Sequence, residues 1–178
     1  MVIYDDIYEI AADNYGIVTS EQAKGVGASD KELSRIAKDG RLTRIGYGVY
    51  RIKHWVPTGY DAYADSVALV GPDAYLYGES VIALLNLVPT NPTYFYVAQP
   101  GRSRKVLPKE IVLRTAAPGY TPTFIQGIRC QQVGDAILSA RGTVPPDRLV
   151  AAAREAYRTG HLDKEEMESV IREMEAST

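Results

Sequence analysis

The segment at residues 29–38 carries polar and basic side chains at a spacing that could bind a nucleic acid. The residues at positions i, i+3, i+4 and i+7 of this segment are Lys31, Ser34, Arg35 and Lys38. On a helix these positions share one face, while the apolar Leu33, Ile36 and Ala37 take the opposite face. Because Lys and Arg neutralise phosphates with release of counterions, the pattern predicts contacts to a phosphate backbone.

Two flanking regions extend the predicted contact surface. Ser29 precedes the helix, at the end from which a recognition helix reaches base edges. A predicted hairpin that carries three arginines and, in its loop, Tyr47 follows the helix. We therefore predict that double-stranded DNA is contacted by Ser29, Lys31, Ser34, Arg35, Lys38, Arg41, Arg44, Tyr47 and Arg51.

The charge distribution agrees with this prediction, although the net charge of the 178-residue chain is only −2. Residues 1–30 contain six acidic residues and one basic residue, whereas residues 31–53 contain seven basic and two acidic residues. The contrast recurs, with four acids and no base at 61–98 and five bases with one acid at 99–114. A near-neutral total can therefore hide a basic face, the alternative being a set of merely solvated charges.

Three short helices are predicted to position these side chains. The spacing of Ile3, Ile7, Ile10 and Ala11 indicates a first helix, which ends at Gly16. Its polar residues fall on the opposite side, as expected for a helix that covers a core.

Two capping boxes predict where the next helices begin. Thr19 is followed three residues later by Gln22, and Ser29 is followed three residues later by Glu32. The third helix is predicted to stop at Gly40. The turn between the second and third helices is therefore followed directly by the capped start of the third helix.

A β-hairpin is predicted behind the third helix. Two β-prone runs lie at 41–45 and 49–53, joined by a glycine-containing three-residue loop at 46–48. Leu42 and Ile45 can share a face only if the strand contains a bulge. Three helices, a capped turn and a basic hairpin are typical of a winged helix-turn-helix, whose recognition helix fits the major groove of DNA.

Two ordered motifs resemble the AbiEi-type antitoxins. The first comprises Tyr-Gly-Ile-Val-Thr at 15–19 with Glu-Gln-Ala at 21–23, then Gly-Arg-Leu-Thr-Arg-Ile at 40–45 with Gly-Val-Tyr-Arg at 48–51. The second is Tyr-Gly-Glu-Ser-Val-Ile-Ala-Leu-Leu-Asn-Leu at 77–87, which is similar to the second domain of that family. Together the two resemblances cover most of the chain.

The resemblance implies a DNA-binding antitoxin of a toxin–antitoxin system. Such a protein represses its own operon and counteracts a toxin with a nucleotidyltransferase-like fold. The implied partners are operator DNA and, functionally, that toxin, and neither a cofactor nor an enzymatic activity is implied. Family members often carry further basic residues at the wing tip, where this chain has Gly46 and Tyr47.

The domain boundary is predicted near Pro57, in a turn-rich run that follows the hairpin. Residues 1–56 are predicted to form the winged helix-turn-helix, and residues 57–178 a mixed α/β antitoxin domain, so the overall fold class is α+β. The patterns in this second part predict helices at 60–70, from 78, at 132–140, from 149 to 160 and from 163, with strands at 94–98 and 111–115.

A basic loop in the second part forms a second predicted basic surface. Its cations are Arg102, Arg104 and Lys105, and they could contact DNA, RNA or an acidic protein. Just before this loop, Tyr94 and Tyr96 alternate along a strand. Base stacking is one interpretation of these tyrosines, but the shared face favours packing in a core or an interface.

The second part offers little for catalysis. His54 and His161 lack the spacing of metal ligands, and no metal site is predicted. Cys130 is the only cysteine and is predicted to be a small buried hydrophobe. Gly78, Glu79 and Ser80 at a helix start could indicate an anion site or a serine nucleophile, but no nucleophile or phosphate-loop spacing accompanies them. Glu79 is explained as a negative charge at the positive end of the helix dipole.

Three alternative functions stay open from the residues alone. A nuclease would need clustered carboxylates for metal ions, but Asp73, Glu79 and Glu110 fall on different predicted elements. The other two alternatives are a winged-helix regulator without a toxin partner and a protein-interaction adaptor. An adaptor would show no salt-sensitive affinity for duplex DNA.

The composition limits the general type of protein that this chain can be. With 46% hydrophobic and 24% charged residues, the chain is predicted to be globular rather than disordered, collagenous or coiled-coil. No leader pattern and no long apolar run is present, so we expect neither secretion nor a membrane span. These features predict a cytoplasmic protein.

Overall fold

The computed structural model describes residues 2–90 and 92–176. In these residues it contains eight helices and two sheets, which confirms the predicted mixed α+β class. The chain separates into two compact units, the first ending at Pro72 and the second beginning at Asp73. The first unit thus extends beyond the predicted boundary at Pro57, because it includes one more helix.

The first unit combines helices with a small antiparallel sheet. Its elements are α1 (Val2–Ala12), β1 (Ile17–Thr19), α2 (Ser20–Gly25), α3 (Asp30–Lys38), β2 (Leu42–Gly46), β3 (Val49–Ile52) and α4 (Asp61–Val70). The strands lie in the order β1-β3-β2. The three predicted N-terminal helices, the hairpin strands and the predicted helix at 60–70 are all present.

Capping boxes set the starts of α2 and α3. The backbone N–H of Gln22 donates to the Thr19 hydroxyl at 3.2 Å, and the N–H of Thr19 donates to the Gln22 side-chain oxygen at 2.9 Å. In the second box, the N–H of Glu32 donates to the Ser29 hydroxyl at 3.2 Å, and the N–H of Ser29 donates to the Glu32 carboxylate at 2.8 Å. Both predicted boxes are confirmed, and each satisfies N–H groups that a helix start leaves without a partner.

The hairpin contains the predicted bulge. Arg44 pairs with Tyr50, but the next pair joins Gly46 to Val49, so Ile45 is the extra residue. The predicted three-residue loop is wrong in one respect, because Gly46 belongs to β2. The connection consists of residues 47–48, and its glycine adopts a φ of +66°, which favours glycine.

The core of the first unit fixes the orientation of α3. Buried side chains from α1, α2, α3 and the sheet form one cluster that includes Ile7, Ala11, Val18, Ala23, Leu33, Ile36, Leu42 and Tyr50. Leu33 has no exposed surface and Ile36 has almost none. Because these residues share one stripe of α3, the opposite face of that helix points to solvent.

Helix α4 belongs to the first unit through contacts with the hairpin. The guanidinium of Arg51 on β3 donates to the carboxylate of Asp65 on α4. The side chain of Leu69 occupies the space that a Cβ on Gly46 would need. These contacts explain why the compact unit does not end with the hairpin.

The second unit is built on a mixed five-stranded sheet. Its elements are β4 (Tyr75–Leu76), α5 (Glu79–Leu84), β5 (Phe95–Gln99), β6 (Ile111–Thr115), β7 (Thr123–Ile125), β8 (Ile128–Cys130), α6 (Val133–Ser139), α7 (Pro146–Arg158) and α8 (Lys164–Ala176). The strand order is β6-β5-β4-β8-β7. Strands β5 and β6 pair in parallel, as do β4 and β8, while the other neighbours are antiparallel.

The predicted elements of the second unit are confirmed, but three strands escaped prediction. Strands β5 and β6 and helices α5 to α8 lie where the patterns indicate them. The N-terminus of α8 carries a capping arrangement in which Asp163 and Glu166 exchange two hydrogen bonds of 2.8 Å. Strands β4, β7 and β8 have only two or three residues each, too few for a periodic signal.

The helices of the second unit share one apolar cluster. Its buried members include Ile82, Leu87, Val133, Ile137, Leu149, Ala152, Ala156, Leu162, Val170 and Met174. Alanines on α7 allow the helices to approach closely, so the cluster is dense without large side chains at every position. Among the described residues, no helix combines the length and the apolar character that crossing a bilayer requires.

Candidate nucleic-acid interface

The solvent-facing side of α3 carries four of the predicted contact residues. Lys31, Ser34, Arg35 and Lys38 are all exposed. The buried stripe of the same helix holds this face in a single orientation relative to the core. The arrangement can therefore present hydroxyl, ammonium and guanidinium donors along one helical surface.

The acidic residues around α3 are occupied by local partners. Asp30 pairs with Lys24 at 3.0 Å, and this hydrogen bond lowers the pKa of the Asp30 carboxyl. The backbone N–H and hydroxyl of Ser29 hold the Glu32 carboxylate at 2.8 and 2.9 Å and lower the pKa of Glu32. Because Ser29 is engaged in this way, its hydroxyl acts first as a helix cap.

Arg35 and Lys31 differ in their surroundings. Arg35 lies 3.5 Å from Asp39 in an exposed i, i+4 pair, which is weak in water and leaves the guanidinium accessible. Among the residues that the structure describes, Lys31 and Lys38 make no ion pair. The solvent-facing side of α3 is therefore positively charged through Lys31, Arg35 and Lys38.

The hairpin adds preorganised cations. The guanidinium carbon of Arg41, the residue before β2, lies 5.0 Å from the centre of the Tyr4 ring on α1, a cation–π contact. Arg44 donates from Nε to the Gly46 carbonyl at 3.1 Å and lies 5.9 Å from the centre of the Tyr47 ring. Tyr47 is 78% exposed at the tip of the hairpin.

Arg51 has a different environment from the other predicted contact residues. It pairs with Asp65 and lies 4.0 Å from Asp61, and only 22% of its side chain is exposed. An arginine engaged by two carboxylates in this way holds the unit together instead of presenting its charge to solvent. The other eight predicted residues lie on or next to α3 and the hairpin. Arg51 also lies on the hairpin, in β3, but its guanidinium is engaged by Asp65 of α4.

The second predicted basic surface belongs to the second unit. Arg102, Arg104 and Lys105 are exposed in the connection between β5 and β6. The Ser103 hydroxyl accepts a hydrogen bond from the Lys105 backbone N–H at 3.1 Å, which shapes the loop locally. This loop extends from an edge region of the sheet, because β6 is an edge strand.

Residues considered for other chemistry lie apart. His54 and His161 are exposed, and Cys130 is fully buried, where burial raises the pKa of its thiol to about 12. Within residues 2–90 and 92–176, no three His, Cys, Asp or Glu side chains cluster as metal ligands would. The predicted burial of Cys130 is confirmed.

The acidic residues considered for a nuclease fall on three separate segments. Asp73 lies before β4, Glu79 is the first residue of α5, and Glu110 precedes β6.

Sequence reasoning missed the positions of Tyr4, under Arg41, and of Asp65, beside Arg51. The one signal for this contact in the sequence is the acidic Asp65 in a mainly apolar helix, because a partly buried carboxylate needs a partner.

A comparison with known protein families gives a match within the first unit. Residues 5–53 match the model of a family of transcriptional regulators. That family is described as "Transcriptional regulator, AbiEi antitoxin", so the resemblance predicted from the sequence is confirmed for this segment and supports a role as an antitoxin or regulator. No curated protein matches the chain.

Among solved structures, the chain is similar to the crystal structure of the RV2827C protein from Mycobacterium tuberculosis. The two share 12% sequence identity, with a TM-score of 0.39. The similarity covers 97% of this chain and 81% of the other.

Proposed function

We propose that the first unit is a winged helix-turn-helix that binds double-stranded DNA, with α3 as the recognition helix and the β2–β3 hairpin as the wing. The observation that carries this proposal is the exposed basic face of α3, whose neighbouring acids are already paired. The order of helices and strands and the match at residues 5–53 support it.

The roles of the side chains follow from their places along α3. Lys31 and Ser34 stand near the N-terminus of the helix, which enters the major groove and reaches base edges in such modules. Arg35 and Lys38 stand further along, where phosphates flank the groove. Ser29 supports the helix start.

The hairpin completes the proposed interface. Arg41 and Arg44 are held by aromatic rings at 5.0 and 5.9 Å, so less side-chain entropy is lost when they contact phosphates. Tyr47 at the tip offers a hydroxyl and a ring to the duplex. Arg51 is left out of the interface, because Asp65 already engages it.

The experiment measures duplex affinity at several salt concentrations. We expect the triple variant Lys31→Ala, Arg35→Ala and Arg44→Ala to bind more weakly, with a salt slope reduced by about one unit per lost phosphate contact. The matched control removes the same charge from the second unit by replacing Arg154, Lys164 and Arg172 with Ala. A folded triple variant with unchanged affinity and slope would contradict the proposal.

We further propose that the chain represses its own operon and counteracts a nucleotidyltransferase-like toxin encoded beside it. The family match supports a regulator or antitoxin, and the toxin itself follows from the predicted resemblance. Co-expression with the neighbouring reading frame tests this, because the full chain should restore growth. Fragments 57–178 and 73–178 should both be tested, since the compact second unit begins at Asp73.

A further inference from the structure

The sheet of the second unit has two chemically different faces. Side chains alternate between faces along a strand, and paired residues of neighbouring strands share a face. Leu76, Val97 and Cys130 are joined by this pairing and are fully buried. They define the face that looks toward the helices, together with Ile125, which packs against the helical cluster.

The opposite face carries aromatic and arginine side chains around a buried centre that includes Ala98 and Tyr75. The same register places these residues across it, from one edge strand to the other: Arg114 on β6, Tyr96 on β5, Tyr75 on β4, Arg129 on β8 and Phe124 on β7. The guanidinium carbon of Arg114 lies 5.4 Å from the centre of the Tyr96 ring. Phe124 is 67% exposed, an unusual state for a large apolar side chain on a strand.

The connection between β6 and β7 adds a fourth ring to this face. Because β6 and β7 are opposite edge strands, residues 116–122 have to cross the sheet. Tyr120 from this connection stacks on Tyr75 with 5.3 Å between ring centres and 23° between ring planes. The Tyr120 hydroxyl donates to Asp135 at 2.7 Å and accepts from the Gln132 N–H at 2.8 Å, which holds the ring in place.

The charge of this region is strongly positive. Residues 92–130 contain six basic residues and one acid, Glu110, a net charge of +5, and Asp135 beside Tyr120 is a second acid in this region. Arg102 and Arg104 are exposed in the β5–β6 connection, and Arg114 is exposed at the edge. An anionic partner is therefore favoured, and an apolar or basic one is disfavoured.

We infer that this sheet face binds single-stranded nucleic acid. Unpaired bases stack on Phe124, Tyr120 and Tyr96, while Arg102, Arg104 and Arg114 contact the phosphates. Base–aromatic stacking beside a basic groove is the common chemistry of single-strand recognition, because every base has a π-face. Strands lie about 4.8 Å apart, so the β5 and β7 rings are separated by about 14 Å, a span that several unstacked nucleotides can bridge.

A duplex does not fit this chemistry. Its bases are already paired and stacked, so their faces cannot reach Phe124 without unstacking. The site also differs from the proposed interface of α3, where side chains on a helix have to enter a groove. The inference does not depend on the proposed function of the first unit.

The test uses the full chain with Lys31, Arg35 and Arg44 replaced by Ala, so that α3 does not contribute. Fluorescence anisotropy with labelled oligouridine and oligothymidine at low salt should show binding that unlabelled duplex competes for poorly. Phe124→Ala should weaken this binding about tenfold, whereas Phe124→Trp should preserve it. Arg114→Ala should weaken it and flatten its salt dependence.

Matched controls separate this site from general effects. Tyr157→Ala removes a 46% exposed aromatic from α7 and should leave oligonucleotide affinity unchanged. Loss of duplex binding in the triple variant together with no oligonucleotide binding would overturn this inference and leave the proposed DNA interface intact. Equal competition by duplex, or Phe124-dependent binding of the purified toxin without any oligonucleotide binding, would also overturn it.

Discussion

The basic face of α3 and the basic face of the second unit's sheet carry similar charge on different surfaces. On α3, cations project from a capped helix whose acids are paired, and the aromatic contacts lie at the base and tip of the hairpin. On the sheet, two arginines lie beside aromatic rings, and Phe124 is open to solvent. Charge alone therefore does not separate the two regions.

The difference lies in what each surface can read besides phosphate. A helix fits the groove of an intact duplex, whereas exposed aromatic rings complement the faces of unpaired bases. The two proposed binding surfaces are therefore expected to have different ligands. The following predictions perturb one region while the other serves as the reference.

The largest expected effect concerns the reactivity of Cys130. Burial raises the pKa of this thiol to about 12, and its side chain on β8 is fully buried. Alkylation near neutral pH should be on the order of 10³-fold slower in the native protein than in the unfolded chain, since the thiolate reacts. Mass spectrometry after iodoacetamide treatment measures this, and rapid native labelling would contradict the buried position.

The next largest effect is expected from Leu33→Ala, which removes a fully buried side chain of α3. A core truncation of this type costs about 2–5 kcal/mol of unfolding free energy. We expect duplex binding to fall with the population of the folded first unit. Denaturant titration followed by circular dichroism measures the loss.

The same variant shows whether the two regions depend on separate cores. Cys130 should remain protected from alkylation and oligonucleotide binding should persist, because the second unit has its own apolar cluster. Simultaneous exposure of Cys130 in Leu33→Ala would show instead that the two units unfold together.

Arg51→Ala should have an intermediate effect on stability and little effect on the salt slope of duplex binding. Its partner Asp65 is 25% exposed, so loss of the pair should cost about 1–3 kcal/mol, less than for a fully buried pair. Burial raises the pKa of Asp65, while the hydrogen bond from Arg51 opposes this rise. Thermal denaturation at several pH values measures the change.

The pH dependence of Arg51→Ala has a defined sign. Without Arg51, the folded-state pKa of Asp65 should rise further above its unfolded value. Protonation then favours the folded state, so the destabilisation relative to wild type should shrink as pH falls toward the raised pKa. Arg35→Ala is the control, because its exposed pair with Asp39 should change stability little while reducing duplex affinity.

The smallest effect is expected from the cap of α3. Ser29→Ala removes the hydroxyl that caps the helix and should cost about 1 kcal/mol. Glu32→Gln should retain the box, as Gln22 does in α2, but lose its pH dependence. The lowered pKa of Glu32 means that its contribution is present above the unfolded pKa and is lost as pH falls through the folded one.

An NMR titration of Glu32 checks the cap directly. In the wild type the side-chain carbon shift of Glu32 should titrate below the range of an ordinary glutamate, mainly because of the backbone N–H of Ser29 and further because of its hydroxyl. In Ser29→Ala the titration should move only part of the way back to that range, because the backbone N–H remains. No difference between the two proteins would contradict the role of Ser29 in lowering this pKa.

Local chemistry made much of the first unit predictable. Capping boxes involve residues three positions apart, so Ser29 and Glu32 identify the start of α3 without knowledge of the fold. The bulge at Ile45 followed from the alternation of the strand itself. The exposed basic face of α3 needed only the helical period.

Contacts distant in sequence were not predictable in the same way. The pairing of Arg51 with Asp65 depends on how α4 docks, which no local pattern specifies. Strand β4 has two residues, and the sheet face with Phe124 and Tyr96 exists only through the register of five strands. The aromatic run at 94–96 was visible in the sequence, but which rings share the open face was not.

The packing of Leu69 against Gly46 limits which parts of the hairpin can be redesigned. A side chain at position 46 would displace α4, since the Leu69 methyl group already fills that space. Tyr47 beside it is 78% exposed and can be exchanged without disturbing the core. A library built to retarget this protein to new sequences should therefore randomise the tip and the solvent face of α3 while keeping the glycine invariant.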